Sequence, residues 1–310
     1  YGYRPKRSAL DAVAVCRRRC WEQDWVIDLD IRAFFDSVDH ELLLKAVSHH
    51  TDQRWVLLYV QRWLVAPMLM TDQVLVDRDR GTPQGSPVSP LLANLFMHYA
   101  FDLWLGRSYP GCPFERYADD AVIHCDNEDQ AQQVLAGLGE RLASLGLELH
   151  PDKTKIVYCK DRKRDGVYPC TSFDFLGYTF KARRTLGPRG PFWGFNPAMA
   201  SKARKKVTAT IRGWHLNRRS ETDLAHLASS INARVRGWVA YYGKFHRSAT
   251  HFIAHLIDEH LVRWAMRKFK RFRRKPAKAQ QWLDAVKALQ PDLFTHWQLT
   301  ARSSRPVGAV

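Results

Sequence analysis

The sequence predicts an α+β domain followed by a basic, all-α domain. Short β-prone runs alternate with helical patterns up to about residue 180, whereas beyond residue 198 the apolar spacing is helical, without comparable strand signals. The charge divides in the same way. Residues 1–195 contain 25 Lys or Arg and 25 Asp or Glu, and residues 196–310 contain 23 and 6. Because solubility does not require all the excess in one third of the chain, the basic part indicates a polyanionic partner.

Composition narrows the class of protein. With 310 residues, 45% of them apolar, the chain can bury one large core or two moderate ones. No apolar run approaches the roughly 20 residues of a membrane span, and no signal-peptide pattern opens the chain, so we expect a soluble cytoplasmic protein. The six cysteines contain no Cys-x-x-Cys pair. Cys16 and Cys20 could share a helix face as metal ligands, but reduced, partly buried thiols are the favoured interpretation.

The elements of the first domain follow in a recognisable order. A strand is predicted over 25–31, and Asp39 is a suitable N-cap for a helix over 41–49. The turn-forming run 81–87 precedes the second of two apolar helices. Two strands then flank Asp119-Asp120. The remaining expected elements are helices over 53–70 and 87–105, a helix that ends at Gly146, and strands over 147–150 and 156–158. This order predicts a ferredoxin-like, split βαβ arrangement.

Carboxylates at two strand ends carry the chemistry. Nucleotidyl transfer uses two divalent metals about 4 Å apart, and carboxylates from separate strands must converge to hold them. The sequence offers Asp28 and Asp30 on one strand, and Asp119-Asp120 at a hairpin tip. Asp28 and Asp30 point to the same face, so their spacing does not choose between them. Adjacent acidic residues at a turn are ordinarily only turn formers. The metal-site hypothesis therefore depends on support from the residues that flank Asp119 and Asp120.

Those flanking residues resemble a known family. Tyr117-Ala118-Asp119-Asp120 resembles the Y-A-D-D hairpin of reverse transcriptases, and Asp30-Ile31-Arg32-Ala33-Phe34-Phe35-Asp36 resembles the first catalytic strand of the group II intron-encoded subfamily. Further blocks stand in the family's order. They cover residues 1–8, 81–94, 146–155, 173–180 and 237–243. The resemblance implies an RNA-directed DNA polymerase with a right-hand architecture.

The resemblance also implies a division of the chain. We expect a remnant of the fingers over 1–20, a reverse transcriptase palm over 21–185, a linker rich in Gly, Pro and Arg over 186–197, and an α-helical thumb or maturase domain over 198–310. The family has two further fingers blocks upstream of Tyr1, so the chain is expected to be a fragment. No His/Cys-rich endonuclease module is expected after residue 300.

Residue by residue, the resemblance assigns Asp30, Asp119 and Asp120 to two Mg²⁺ ions, with Asp28 secondary, and makes Lys153 a candidate proton donor to pyrophosphate. Phe35 would exclude a 2′-hydroxyl from the nucleotide pocket; a core aromatic is the alternative, a role expected for Phe34. The other implied substrate contacts are Gln84 and Gly85 in the nucleotide pocket, Arg4, Lys6 and Arg7 on the triphosphate, and Phe175, Leu176 and Gly177 as the primer grip.

Two of these sets have plainer alternatives. The N-terminal cations can be solubility charge, and Phe175 to Gly177 can be an ordinary strand with a bulging glycine. In the basic domain we expect RNA contacts from cations along helical segments, although a solvated helix face would look the same. They are Lys202, Arg204, Lys205, Lys206, Arg212, Arg267, Lys268 and Arg271.

The expected partners are an RNA template, an RNA/DNA duplex, structured intron RNA and dNTPs, without a membrane. The alternative function is an RNA-binding splicing maturase with little or no polymerase activity. The sequence leaves three points open: an intron-borne, free-standing or CRISPR-associated context, the identity of the RNA, and the oligomeric state.

Overall fold

The computed structural model describes residues 1–69, 73–83, 85–187 and 190–301. Its chain divides into two compact units. The first contains Tyr1–Leu176 and Phe180–Asn196, and the second contains Gly177–Thr179 and the chain from Pro197 onward. Strands occur in the first part of the chain and helices alone in the described residues after Met199, so the α+β expectation is confirmed.

The first half of the first unit is mainly helical. Helix α3 begins after Asp39, whose side chain accepts a hydrogen bond from the Leu42 N–H at 2.9 Å, as the N-cap prediction requires. The elements are α1 (Ala9–Glu22), β1 (Trp25–Leu29), α2 (Phe34–Ser37), α3 (His40–Ser48), α4 (Arg54–Val65), β2 (Met68–Leu69), β3 (Leu75–Val76), α5 (Ser89–Met97), a π-helix (His98–Asp102) and α6 (Leu103–Ser108).

The rest of the unit supplies the remaining strands and one long helix. Helix α7 is amphipathic, and Gly146 follows it with a φ of +72°. The elements are β4 (Phe114–Tyr117), β5 (Asp120–Cys125), α7 (Glu128–Ala143), β6 (Lys155–Tyr158), β7 (Ser172–Phe175), β8 (Tyr178–Gly187) and β9 (Gly190–Met199). The last three form a three-stranded sheet in the order β7-β8-β9.

The central sheet has the strand order β4-β5-β1-β6, with every neighbouring pair antiparallel. Strands β1 and β4 are therefore parallel, are joined through helices and have β5 between them. Strands β5 and β6 are related in the same way through α7, with β1 between them. Each is a split βαβ unit, as the sequence predicted. A core of buried side chains from this sheet, α3, α5 and α7 covers one face, with Ile27, Phe96 and Phe101 among its members.

Three local predictions were wrong. The helix expected over 53–70 ends at Val65, because Pro67 disfavours helical geometry at Ala66. The strand expected over 147–150 is reduced to one isolated bridge between Ile31 and Leu149. The segment 186–197, expected to be a linker, lies largely within the β8–β9 hairpin. Its Gly and Pro residues suggested a loop, yet Phe195 from the same segment is fully buried.

The second unit contains five described α-helices after Met199. They are α8 (Ser201–Gly213), α9 (Leu224–Tyr242), α10 (His251–Lys268), α11 (Pro276–Leu289) and α12 (Trp297–Ala301). Its core packs around α10, where Ile257, Leu261 and Trp264 are buried, together with Phe294 and Trp297. Within the described residues, no helix combines the length and apolar character needed to cross a bilayer.

Candidate active site

The backbone brings the predicted carboxylates to one end of the central sheet. Leu29, the last residue of β1, pairs with Ala121 in the second position of β5. Asp30 therefore leaves β1 beside the point where Asp120 begins β5. Asp119 precedes Asp120 in the β4–β5 turn, so the three predicted metal ligands lie at the same end of the sheet.

The turn before Asp120 is tight and is stabilised by a hydrogen bond from the Arg116 side chain. Ala118 has a φ of +57°, a left-handed conformation that is unfavourable for a residue with a Cβ. Its carbonyl oxygen accepts a hydrogen bond of 2.7 Å from an Arg116 Nη1 atom. The guanidinium thus fixes the conformation that presents Asp119 and Asp120.

Arg116 is itself held by a network that sequence reasoning did not find. The side chain is 4% exposed, and its Nε and Nη2 atoms donate to the two carboxylate oxygens of Asp102 at 2.6 and 2.7 Å. Nη1 also donates to the Asn94 side-chain oxygen at 2.9 Å. Arg4, expected at the triphosphate, forms a 3.1 Å ion pair with Asp102. A bidentate, buried arginine of this kind is a positioning residue for the hairpin.

The carboxylates at this end of the sheet destabilise one another's charged forms. The pKa of Asp120 is raised to about 7, mainly by burial and secondly by the charge of Asp119. The pKa of Asp119 is raised by burial, and the charge of Asp30 adds to this shift. Asp28 lies two residues before Asp30. Burial, and next the charge of Asp120, raise its pKa to about 7. Asp28 is therefore part of the same acidic group.

Lys153 supplies the counter-charge at the edge of the site. Its Nζ atom lies 3.2 Å from an Asp30 carboxylate oxygen, and both side chains are exposed. The loop that carries Lys153 is anchored to the end of β1. The His150 backbone N–H and the Thr154 hydroxyl both donate to the Asp30 carbonyl oxygen, at 2.9 and 3.2 Å. The predicted proton donor is therefore adjacent to a predicted metal ligand.

The donor set fits hard divalent cations. Asp30, Asp119 and Asp120 provide only carboxylate oxygens, which Mg²⁺ prefers. Burial and the neighbouring carboxylates raise the pKa values of Asp119 and Asp120, so a bound cation would favour their charged forms. The three side chains are not drawn into one closed cage, since the described residues include a single set of three ligand atoms within 4.8 Å of one another, and it lies elsewhere. An open arrangement suits two ions that are bound with their substrate.

That other set is Cys16, Glu115 and His124, all fully buried behind the sheet. Glu115 already receives a hydrogen bond from the Arg19 guanidinium and contacts His124 Nε2 at 2.6 Å. Arginine therefore compensates the carboxylate charge. Burial raises the pKa of the Cys16 thiol to about 11, as expected of an inert structural thiol.

Phe35, predicted to exclude a 2′-hydroxyl, lies on a segment held by backbone contacts. Phe34 belongs to the buried core, whereas Phe35 is only half-buried, with ring centroids 5.3 Å apart. The Thr82 N–H donates to the Phe35 carbonyl oxygen at 2.7 Å. Gly81 has a φ of +78°, and a Cβ there would lie 2.7 Å from the same oxygen. The close approach of these two segments therefore requires glycine.

Gln84, predicted in the nucleotide pocket, lies outside the described residues. Gly85 follows with a φ of +87° and open space where a side chain would stand. The turn ends at α5, where the Ser89 hydroxyl donates to the Pro83 carbonyl oxygen at 2.6 Å. Lys6 is exposed and has a φ of +58°, and the Arg7 guanidinium lies over the Tyr1 ring at 5.8 Å.

The predicted primer grip is a hairpin turn. Leu176 and Gly177 join β7 to β8 and have φ values of +49° and +79°, as a two-residue hairpin loop requires. Phe175 is fully buried. The Leu176 N–H donates a hydrogen bond to the Asp120 carboxylate, which lowers the pKa of Asp120 against the other influences. The turn thus contacts the acidic group directly.

The cations predicted to bind RNA differ in their surroundings. On α8, Lys202, Lys205 and Lys206 are exposed, and Arg204 lies over the Phe252 ring at 4.4 Å. Lys268 is partly used inside the second unit, because its Nζ donates to two backbone carbonyl oxygens at 2.8 and 3.0 Å. The other three are exposed; they are Arg212, Arg267 and Arg271.

Family models match both parts of the chain. Residues 1–180 match the reverse transcriptase (RNA-dependent DNA polymerase) family, and residues 204–282 match the maturase-specific domain of group II introns. Among solved structures, telomerase from Candida albicans aligns over 98% of this chain and 54% of its own, with 14% identity and a TM-score of 0.46.

Curated relatives are similar over part of their length. Protein YkfC of Escherichia coli is 29% identical over an alignment of 231 positions that covers 60% of this chain and 55% of YkfC. The group II intron-encoded protein LtrA of Lactococcus lactis is 29% identical over 174 residues, 56% of this chain and 28% of LtrA. The chain thus spans about half of one relative and just over a quarter of the other. With its matching maturase-specific domain, the chain belongs to the group II intron reverse transcriptase and maturase family.

Proposed function

We propose that this chain is an RNA-directed DNA polymerase that adds dNTPs to a primer by two-metal nucleotidyl transfer. The observation that carries the proposal is the convergence of Asp30, Asp119 and Asp120 at one end of the sheet, with raised pKa values at Asp119 and Asp120. Carboxylates held together at this cost in stability are favoured when cations neutralise them.

Each predicted residue has a role in this proposal. Asp30, Asp119 and Asp120 would hold the two Mg²⁺ ions. When bound, magnesium supplies activation of the primer 3′-hydroxyl and neutralisation of the leaving pyrophosphate. Lys153, at the exposed edge beside Asp30, donates a proton to the departing pyrophosphate.

Phe35 and the Leu176-Gly177 turn then position the substrates. The half-buried Phe35 ring leaves no room for a ribose 2′-hydroxyl and so selects deoxynucleotides. The Leu176-Gly177 turn, bonded to Asp120, holds the primer end relative to the carboxylates. In architectural terms, the central sheet is the palm and the helices after Met199 are the thumb.

A second candidate is a splicing maturase that binds intron RNA with little polymerisation. The observation that favours it is the match of residues 204–282 to the maturase-specific domain, within the part of the chain that holds 23 Lys or Arg against 6 Asp or Glu. Such a surface binds structured RNA through its phosphates and 2′-hydroxyls. Both functions can reside in one chain.

Primer extension on poly(rA)/oligo(dT) with dTTP and Mg²⁺ tests the polymerase. We expect incorporation by the unmodified chain and by Asp165→Asn, an exposed carboxylate control, and none by Asp119→Asn/Asp120→Asn. Absence of incorporation, combined with tight binding and accelerated splicing of a group II intron RNA, would instead support the maturase.

A further inference from the structure

The surface of the first unit carries an aromatic helix face that the active site does not use. Trp55, Tyr59 and Trp63 on α4 are 62, 47 and 45% exposed. They stand at positions i, i+4 and i+8, so they share one side of the helix at steps of about 6 Å. Single exposed aromatics are ordinary on a protein surface, but three in register indicate a binding surface.

Positive charge accompanies these rings. Arg62 lies over the Tyr59 ring at 6.0 Å, and Arg54 begins the same helix. A groove between α3 and α4 is lined by Lys45, Arg54 and Leu58, and has a volume of about 540 Å³. Leu58 belongs both to this groove and to the exposed side of α4. The aromatic side chains and the groove are therefore continuous.

A second cavity extends the surface across α3. It has a volume of about 350 Å³, shares Lys45 with the groove, and is also lined by His49 and Arg141. Its floor is apolar and includes Phe96 and Ala100, the latter in the π-helix. The Arg141 guanidinium bonds the Tyr99 and Ala100 carbonyl oxygens of that π-helix, each at 3.3 Å. π-Helical segments often occur at functional sites.

The cations of this surface form no salt bridge with the described carboxylates. Among the residues that the structure describes, no carboxylate lies within 4.0 Å of Lys45, Arg54, Arg62 or Arg141. No acidic side chain lines the groove or the cavity. The complementary ligand is therefore a polyanion that also offers flat apolar groups. We call this surface, formed by Lys45, Arg54, Trp55, Tyr59, Arg62, Trp63 and Arg141, the α3–α4 face.

We propose that the α3–α4 face binds a single-stranded segment of the RNA partner. Unpaired bases stack on aromatic rings and arginine planes, while the phosphates pair with the cations. The Tyr59 and Trp63 ring centroids are 6.2 Å apart. The two rings are tilted by 35° to each other and are both exposed, so each offers a face on which an unpaired base can stack. A duplex keeps its bases stacked inside, so the face selects single strands.

This inference rests on the RNA-binding part of the proposed function, but not on polymerisation. The experiment therefore uses the full chain with Asp119→Asn/Asp120→Asn as the background. A fluorescein-labelled, unstructured eight-nucleotide RNA is titrated by anisotropy, in the presence of saturating unlabelled RNA duplex to occupy duplex-binding surfaces. Tyr59→Ala and Trp63→Ala are compared with Trp193→Ala, an equally exposed tryptophan on β9.

We expect each α4 aromatic substitution to weaken binding at least about fivefold and Trp193→Ala to leave it unchanged. Arg54→Gln and Arg62→Gln should each lower the slope of log affinity against log salt by about 0.7, whereas Arg107→Gln, on α6, should not. A 4-thiouridine-substituted oligonucleotide should cross-link to the α4 peptide. Circular dichroism and the Tm establish that each variant is folded.

Unchanged affinity and salt slope in folded variants would overturn the proposal. So would sedimentation that shows Tyr59→Ala/Trp63→Ala converting an oligomer to a monomer without altering RNA affinity, because the face would then bind a second copy of the chain. The two proposals fail separately. Primer extension without binding at this face overturns the present one, and binding at this face without extension overturns the polymerase.

Discussion

The backbone N–H of Leu176 donates a hydrogen bond to the carboxylate of Asp120. Leu176 lies in a turn between β7 and β8, and Asp120 is the first residue of β5, so this bond joins the three-stranded sheet to the carboxylate end of the central sheet. It stabilises the ionised form of Asp120, which burial and Asp119 disfavour. The geometry of a hairpin turn therefore influences the charge of a proposed metal ligand.

We expect Gly177→Ala to loosen this connection. At a φ of +79°, a residue with a Cβ is strained by about 1–2 kcal/mol, although the nearest side-chain atoms stand 3.5 Å from the added methyl group. The free energy of unfolding should fall by about 1 kcal/mol, and primer extension should slow because the Leu176 N–H shifts. Urea unfolding and extension rates measure both effects.

Gly106→Ala is the matched control, since its added methyl group meets no atom within 4 Å in the short helix α6. This substitution should leave the free energy of unfolding unchanged or raise it by up to about 1 kcal/mol. Equal effects of the two substitutions would show that the conformation of the Leu176-Gly177 turn is not the cause.

Asp28→Asn should stabilise the metal-free protein above neutral pH. The folded protein keeps the Asp28 proton up to about pH 7, whereas the unfolded chain releases it near its ordinary pKa of 3.8. The folded state thus binds more protons between these values, and the free energy of unfolding of the unmodified chain falls as the pH rises through this window. Asparagine removes that dependence.

The advantage of the variant should grow from near zero at pH 4 to roughly 2–4 kcal/mol at pH 8. Urea unfolding in EDTA at several pH values measures it. Asp165→Asn, at an exposed position, should differ from the unmodified chain by less than about 0.5 kcal/mol throughout. A pH-independent difference for Asp28→Asn would contradict the raised pKa.

Phe35→Ala should relax the selection of deoxynucleotides. Removing the half-buried ring opens space beside the ribose, and the ratio of kcat/KM for rNTPs to that for dNTPs should rise by about tenfold or more. Single-nucleotide extension on one template measures the ratio. Phe34→Leu, in the adjacent core position, should cost about 1 kcal/mol in stability without altering that ratio. An unaltered ratio for Phe35→Ala would leave this residue a packing role only.

Much of the fold followed from local sequence patterns. The Asp39 cap, the hairpin around Asp119 and the period of α7 are short-range signals, and they were sufficient to predict the split βαβ arrangement. The β8–β9 hairpin does not follow from the local pattern, because Gly190 and Pro191 favour a loop whereas Phe192, Trp193 and Phe195 favour a strand. Pro67 could have located the end of α4.

In the candidate site too, local motifs predict some residues, and contacts between distant parts of the chain determine the others. Asp30, Asp119 and Asp120 were found from their motifs, and β-sheet register brings them together. The Arg116 hydrogen bonds that hold the Asp119-Asp120 turn depend on residues that are far apart in the sequence. Asp102 and Asn94 are 14 and 22 residues from Arg116 in the sequence. Helical and strand periodicity, which relate residues only a few positions apart, therefore do not predict these hydrogen bonds. The partial involvement of Asp28 likewise depends on its burial, which spacing alone does not give.

Arg116 should be essential to the hairpin that carries Asp119 and Asp120. Arg116→Met would remove all four hydrogen bonds to Asp102, Asn94 and Ala118 and leave the Asp102 carboxylate with Arg4 as its remaining arginine partner. Breaking such a buried pair costs about 3–5 kcal/mol. Arg116→Lys should also be destabilising, because an ammonium cannot reproduce the bidentate contact with Asp102.

Arg107→Lys on the exposed side of α6 is the control and should change the free energy of unfolding by less than about 0.5 kcal/mol. For Arg116→Lys we expect primer extension to fall further than the folded fraction does, since the Ala118 carbonyl oxygen loses its fixed donor and the Asp119-Asp120 tip can move. Urea unfolding and extension rates, each normalised to folded protein, separate the two effects. An Arg116→Lys protein with normal extension per folded molecule would show that the network stabilises the fold without positioning the carboxylates.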